Sequence, residues 1–305
     1  MIRQLFAMAF AGCLCVASPG WAAPLVITDI PAVHSLVATV MGDTGEPELL
    51  LRAGASPHDY SLRPSEARLL RKADIIIWTS AGLTPWLPDT MQALAPELPS
   101  LELLADANSI RLPRRDSPDF QHDDHDHDHD HEQSLTDPHA WLSTDNARLW
   151  LQQVALRLSA LDPDNAGAYQ SNADQGIQSL DALDVSVESL LADSRGKPFV
   201  VFHDSFHYFE DQFSFPATAA ISLSDASVPG IRQLDKLRKL VTQHPGSCVF
   251  SEPQFSERMV DTVTHKLDVR RGVLDPLGAT LEPGPSLYGQ LITNLATNLR
   301  ACLTE

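Results

Sequence analysis

The feature that most constrains the fold of this chain is the alternation of short apolar, β-branched runs with stripes of helical period. In the first half, such runs occupy residues 25–28, 48–51, 74–78 and 101–104. Helical patterns at 34–41 and 65–72 lie between them. The same alternation returns later. Strand-like runs occupy 199–202, 217–221, 248–250 and 269–274, and helical patterns occupy 230–243, 256–267 and 286–299. Strand, helix, strand in this order is typical of parallel sheets covered on both faces. The sequence therefore predicts an α/β fold of two lobes, each a parallel β-sheet flanked by helices.

A single long, rigid helix is predicted to join the two lobes. Its apolar positions recur every three or four residues, at Tyr169, Ala173, Ile177, Leu180, Leu183, Val187 and Leu190. The alternative is an ordinary pair of helices broken at Gly176. We expect an N-terminal lobe at 24–163, a linker helix at 164–194 and a C-terminal lobe at 195–305.

The first 23 residues have the order of a secretory signal peptide: Arg3, an apolar stretch at 5–16, and small residues up to Ala23. Twelve apolar residues fall short of the roughly 20 that a spanning helix needs. A weaker alternative is a lipid-attachment box at 10–13. We predict a signal peptide at 1–23, cleaved after Ala22 or Ala23, and an exported mature chain.

Two cysteines, Cys248 and Cys302, remain once the signal peptide is removed. In an exported chain a pair of cysteines favours one disulfide over two separate buried thiols. We therefore predict a Cys248–Cys302 bridge.

The charge of the chain is strongly negative and partly concentrated in one segment. The whole sequence has 40 acidic residues against 22 basic ones, which makes nucleic acid an unlikely partner and cations natural ones. Residues 117–134 form an acidic loop with five histidines, His122, His125, His127, His129 and His131. Imidazole and carboxylate together suit divalent ions such as zinc. Because ordering such a solvated loop costs entropy, we predict low-affinity metal sites there.

Three single histidines stand where strands give way to helices: His58, His139 and His203. Ligands of open α/β sheets bind at the carboxyl ends of strands, where Asp275 also lies after the last predicted strand. Three imidazoles with a carboxylate or open position form an ordinary tetrahedral zinc site. His207 competes with His203, because a spacing of four would place both on one helical face.

Around these histidines the chain resembles the zinc-binding proteins of ABC importers, the ZnuA type of the TroA-like family. The resemblance covers the whole mature chain and includes, in order, the motifs GASPHDYSLRPS, DPHAWL, FHDSFHYF, FSEPQF and LDPLG. It implies two α/β lobes joined by a rigid helix, with zinc held between them and delivered to a membrane permease.

Carried over by position, the ligands of this family fall on His58, His139 and His203. Manganese-carrying members tend to have a carboxylate where His203 stands, so imidazole there favours zinc. Some zinc-type members have a glutamate before the first ligand, where this chain has Pro57. The fourth position is therefore open between Asp275 and water.

The resemblance predicts a monomeric, periplasmic receptor that binds Zn²⁺ with high affinity and is not an enzyme. One alternative is a zinc hydrolase that uses the three histidines, a metal-bound water and Glu252 as base. Another is a periplasmic zinc buffer or chaperone whose main binding element is the acidic loop.

Overall fold

The structure is a computed structural model that describes residues 23–120, 135–223, 230–243 and 246–304. The predicted signal peptide, apart from Ala23, and all five histidines of the acidic loop lie outside these ranges.

The N-terminal sheet contains four parallel strands in the order β2-β1-β3-β4. The strands are β1 Val26–Thr28, β2 Glu48–Leu49, β3 Ile75–Trp78 and β4 Ser100–Glu102. The helices beside them are α1 Pro31–Met41, α2 Pro64–Leu70 and α3 Leu87–Leu94. The fourth predicted strand was wrong at its end, because Leu103 and Leu104 belong to a short 3-10 turn.

The C-terminal sheet repeats this arrangement, with the order β6-β5-β7-β8 and all pairs parallel. Its strands are β5 Phe199–His203, β6 Ala219–Ser222, β7 Cys248–Ser251 and β8 Arg270–Val273. Its helices are α6 His207–Gln212, α7 Ile231–Gln243, α8 Arg258–Thr264 and α9 Leu287–Thr304. The predicted fold class, two parallel sheets flanked by helices, is confirmed.

Burial on both faces of the sheets explains the continuous apolar runs. In β3, Ile75 and Ile77 face the main core, whereas Ile76 and Trp78 belong to a separate cluster with Leu70. A parallel strand covered by helices on each side needs an apolar side chain at every position. No helix among the described residues has the length and apolar character that crossing a membrane requires.

The long helix is present as α5, which spans Ala166–Leu191 and has 26 residues, about 39 Å at 1.5 Å per residue. It runs through Gly176 without a break, so the alternative of two helices is wrong. A Cβ atom on Gly176 would lie 2.9 Å from Leu151 Cδ1 and 3.1 Å from Thr39 Cγ2. The glycine allows α1 and α4, which spans Thr144–Leu161, to pack close to α5.

The C-terminal helix α9 returns to the first lobe, where it packs against α5 and α1. It also carries Cys302, which forms the predicted disulfide with Cys248 in β7. One buried core extends from Val26 in β1 to Leu303 in α9. The lobe boundaries at 164 and 195 remain predictions, since both lobes share this core.

Candidate metal centre

Three histidines converge in the cleft between the lobes: His58, His139 and His203. The Nε2 atom of His139 lies 3.3 Å from Nε2 of His58 and 3.2 Å from Nε2 of His203. A zinc ion bound tetrahedrally at 2.0–2.1 Å separates its nitrogen ligands by about 3.3–3.4 Å. The spacing of the imidazoles is therefore that of a tetrahedral zinc site.

Two of the rings are oriented by buried carboxylates. The Nδ1 atom of His139 lies 2.6 Å from Asp137 Oδ1, and Nδ1 of His203 lies 3.0 Å from Glu252 Oε1. An ionised carboxylate only accepts hydrogen bonds, so each Nδ1 carries the proton and each Nε2 presents a lone pair to the centre of the cluster. These contacts assign the tautomer that a metal ligand needs.

Each of the three histidines is positioned by a different kind of local structure. His203 is the last residue of β5, and Glu252 also accepts a hydrogen bond from its backbone N–H. His58 lies on the loop between β2 and α2, where Trp86 Nε1 donates to the carbonyl of Pro57 at 2.8 Å. His139 lies in the turn before α4, and its backbone N–H donates to Asp137.

The cavity at the cluster is small enough for a single ion. Its volume is about 10 Å³, roughly one water-sized sphere. Its apolar wall comprises Pro57, Trp141, Phe255, Pro276 and Leu277. The Trp141 indole N–H donates to the carbonyl of Pro276 across the cleft, so both lobes form this wall.

Asp137 is held ionised beside the cluster. Burial by itself would raise its pKa, but the His139 ring, the hydrogen bonds from His139 and the nearby His207 ring hold the pKa well below its usual range. His207 lies on the far side of this carboxylate, with its Nδ1 3.6 Å from Asp137 Oδ2. The expectation that His203 and His207 share a helical face was wrong, because β5 ends at His203 and α6 begins at His207.

Asp275 does not join the three histidines in the described cluster. Its Oδ1 accepts hydrogen bonds from Gln254 Nε2 and from the backbone N–H groups of Leu277 and Gly278. Its Oδ2 accepts one from the backbone N–H of Ala279 at 2.6 Å. The carboxylate thus caps the turn that follows β8. The position of Asp275 after a strand did not predict that the backbone N–H groups of this turn would occupy its oxygens.

The orienting residues were the part of the site that sequence reasoning left unassigned. Asp137 stands two residues before its histidine, a spacing at which a carboxylate reaches back to a backbone N–H and the ring. Glu252 was considered only as a possible base. No local signal links it to His203, which is 49 residues away.

Fold and site together define a class: two-lobed α/β proteins with a metal-binding cluster in the cleft between parallel sheets. The family model for the periplasmic zinc-uptake complex component A, ZnuA, matches residues 26–302. The "High-affinity zinc uptake system protein ZnuA" of Paracoccus denitrificans (strain Pd 1222) is 38% identical over 305 residues, covering 92% of each chain. The protein of the same name from Brucella suis biovar 1 is 34% identical and covers 100% of this chain and 99% of its own. The chain belongs to the ZnuA family.

Solved structures share the fold at lower identity. A crystal structure of ZnuA superposes with a TM-score of 0.75 at 22% identity, covering 92% of this chain and all of that one. The periplasmic zinc-binding protein TroA from Treponema pallidum gives 0.75 at 20% identity, over 92% of this chain and 99% of its own. The FpvC protein of Pseudomonas aeruginosa in complex with Mn²⁺ gives 0.77 at 20% identity, over 92% and 98%.

Proposed function

We propose that this protein is a high-affinity zinc receptor of the periplasm that holds one Zn²⁺ on His58, His139 and His203. The observation that carries the proposal is the convergence of three imidazoles, with His139 Nε2 at 3.3 Å from His58 Nε2 and 3.2 Å from His203 Nε2, and all three ligand atoms within 4.8 Å of one another. Two of the rings are locked in the ligand tautomer before any ion arrives. Such preorganisation removes ordering costs from the binding free energy.

The donor set supports zinc over harder cations. All three ligands are neutral imidazoles, which suit zinc, whereas carboxylate and water oxygens suit manganese and magnesium. The uptake proteins of Paracoccus and Brucella are named for zinc. Zn²⁺ is thus the cargo that we assign to the cleft.

We assign the fourth position to a water molecule rather than to Asp275. Both carboxylate oxygens of Asp275 already accept hydrogen bonds, and coordination would require at least part of the turn at 277–279 to give up its cap. Asp275→Asn should then weaken zinc binding by no more than a few fold. A loss of several hundredfold would make Asp275 the fourth ligand.

Delivery to the membrane permease of an ABC importer is the step that follows from the family of uptake components. The loaded receptor, exported by the signal peptide at 1–23, would dock as a monomer. Release requires that the permease bind an opened form more tightly than the closed one, since only differential affinity shifts such an equilibrium.

Competition titration of the purified mature protein against a strong zinc chelator tests the assignment. His58→Ala, His139→Ala and His203→Ala should each weaken tight binding by orders of magnitude, because three ligands leave no spare. His207→Ala is the matched control and should change affinity little, since His207 touches the site only through Asp137. A loss for His207→Ala as large as for His203→Ala contradicts the ligand set.

The zinc-buffer alternative is separated by stoichiometry. Deletion of 121–134, with a Gly-Ser linker of equal length in its place, removes the five loop histidines but keeps Pro118 and Phe120, whose backbone hydrogen bonds hold the preceding segment on β6. We expect equilibrium dialysis to show one tight zinc site in both forms and additional weak sites only in the intact chain. Loss of the tightest site on deletion would favour a buffer.

The hydrolase alternative needs Glu252 as a base for metal-bound water. Glu252 is 2% exposed, and its carboxylate accepts hydrogen bonds from Nδ1 and from the backbone N–H of His203. It therefore lies on the side of the imidazole opposite Nε2. This commitment favours an orienting role. Turnover of ester or peptide substrates by the zinc-loaded protein that is lost in Glu252→Gln would support the hydrolase instead.

A further inference from the structure

A segment of the first lobe lies across the second lobe. We call residues 112–120 the strap. The backbone N–H of Phe120 donates to the carbonyl of Thr218 at 3.1 Å, and that of Ala220 donates to the carbonyl of Pro118 at 2.9 Å. The pairing is antiparallel, with Asp119 opposite Ala219, and it occupies the outer edge of β6. The strap thus adds one antiparallel β-bridge to the outer edge of the four-stranded C-terminal sheet.

The beginning of the strap is fastened to the chain that leads to the ligand His139. Arg114 N–H donates to the carbonyl of Leu135, and Asp137 N–H donates to the carbonyl of Leu112, both at 2.8 Å. Tyr208 of α6 joins the two lengths of chain, since its hydroxyl accepts from Leu112 N–H and donates to the carbonyl of Asp137. Tyr208, a residue of the second lobe, therefore holds both the first residue of the strap and the segment that leads to His139.

Arg115 extends from the strap into a buried pair of carboxylates of the second lobe. Its Nη1 lies 2.9 Å from Asp204 Oδ1, and its Nη2 lies 2.6 Å from Glu210 Oε2. The guanidinium stacks over the Phe120 ring, 3.9 Å from the centroid, so the strap holds its own arginine in place. Asp204 directly follows the ligand His203.

We propose that Arg115 is a positioning residue for the metal centre, which holds the turn after β5 against the strap and thereby slows the release of zinc. The proposal rests on the metal site assigned above. The strap contacts the chain next to two ligands from opposite lobes: Asp137, which orients His139, and Asp204, which follows His203. Separation of these two ligands requires the Arg115 contacts to break or to move.

Arginine suits the position between Asp204 and Glu210 better than lysine does. A planar guanidinium bonds two carboxylates at once through different nitrogens, whereas a lysine ammonium acts as a point charge with little directional hold. Without a cation, Asp204 and Glu210 are buried acidic groups that repel each other, and the turn that carries Asp204 loses its side-chain anchor and keeps only backbone hydrogen bonds such as that from Asp204 N–H to Ser222. His203 would shift with it.

Arg148 provides a matched control in the same molecule. Its side chain is 19% exposed, as is that of Arg115, and it also joins several carboxylates at 2.6–3.0 Å. Its partners Asp145, Asp181 and Asp184 all lie on α4 and α5, away from the cleft. These carboxylates are more exposed than Asp204 and Glu210, and removal of Arg148 breaks their ion cluster without touching the strap.

The experiment compares zinc release from Arg115→Lys, Arg115→Met and Arg148→Met by stopped-flow transfer to excess chromogenic chelator. The melting temperature of each apoprotein is measured alongside. We expect Arg115→Met to accelerate release at least tenfold and Arg115→Lys by about threefold. Arg148→Met should lower the melting temperature and change the release rate less than twofold.

The proposal fails if Arg115→Met releases zinc at the wild-type rate, or if the release rate of all variants simply follows the melting temperature. If Arg115→Met does not fold, two other variants decide: Arg115→Lys, and the double variant Arg115→Met/Glu210→Gln. Zinc release at the wild-type rate from these variants overturns the role of Arg115, and faster release supports it. A wild-type protein that binds no zinc would overturn the metal site itself, whereas tight binding with unaltered release overturns only the role of Arg115.

Discussion

The two sheets have the same strand order, and in each a buried aspartate directly follows the first strand along the chain. Asp29 follows β1, and Asp204 follows β5. Burial raises the pKa of each carboxyl to about 6. The two lobes thus repeat one device as well as one topology.

The aspartates differ in what compensates their charge. Asp29 accepts hydrogen bonds from the backbone N–H groups of Ile30 and Thr79, both from its own lobe. Asp204 instead pairs with Arg115, which the other lobe supplies. The end of the first sheet is therefore complete in itself, whereas the metal-binding end of the second sheet is completed by a neighbour.

The three histidines of the proposed site are also divided between the lobes. The second lobe presents His203 on a strand, the more rigid support, and the first lobe presents His58 and His139 on loops. A loop needs added constraints to hold a side chain, and here Trp86 and Asp137 supply them. The proposed site is therefore divided between the lobes both in its histidines and in the residues that hold them.

The largest effect that bears on this comparison is expected from the disulfide, which only the second lobe contains among the described residues. Cys248→Ser/Cys302→Ser opens a bridge across a separation of 54 residues and should cost about 4 kcal/mol of unfolding free energy. Residues 195–305 contain no tryptophan, so fluorescence follows the first lobe and circular dichroism follows both. Because one core joins the lobes, we expect both signals to shift together to lower denaturant. A shift in circular dichroism alone would show that the lobes unfold separately.

Asp29→Asn tests how self-sufficient the first sheet is. The folded pKa of Asp29, about 6, lies above its ordinary value of 3.8, so the folded state binds the proton more tightly than the unfolded state. The cost of the ionised carboxylate is absent well below pH 3.8, grows as the pH rises toward 6 and levels off above pH 6 at about 3 kcal/mol. The stability of the variant relative to wild type should therefore rise by most of that amount between pH 4 and pH 7 in urea titrations of the apoprotein. A difference that stays constant with pH would show that the backbone donors compensate the charge in full.

The orienting carboxylates test whether the two lobes hold their ligands alike. Glu252→Ala and Asp137→Ala should each weaken zinc binding by about 10- to 100-fold, because the ring behind each carboxylate loses its orientation and its tautomer preference. Glu252→Gln is the control, since its amide oxygen still accepts from Nδ1 and most of the affinity should remain. If competition titration shows no loss for one of the two alanine variants, packing alone fixes that imidazole.

The smallest effects concern α5, where helices of both lobes meet. Gly176→Ala should cost about 1–2 kcal/mol, because the added methyl overlaps Leu151 and Thr39. Gly167→Ala, in the same helix with open space around it, should instead gain about 0.5 kcal/mol. Denaturant unfolding of both variants measures the difference. Equal effects would mean that α5 is not packed closely at Gly176.

Much of the fold was predictable from local chemistry. Each of the eight predicted runs overlaps a parallel strand, and in β3, which is buried on both faces, the apolar pattern is uninterrupted. The helices α3, α4 and α6 were not predicted. In α6, only six residues long, the period is too short to be recognised, and α4 owes its place to packing against α5.

The sequence by itself determined the fold class, the disulfide and the three histidines that meet in the cleft. Each depends on residue type and on position along an element. Only the tertiary structure decided which nitrogen of His139 and His203 faces the centre, and that Asp275 caps a turn instead of joining the cluster. It also decided that Arg115 reaches Asp204, 89 residues further along the chain. The reason is that a hydrogen bond or ion pair between distant segments leaves no period and no local composition in the sequence, and exists only once the lobes have packed.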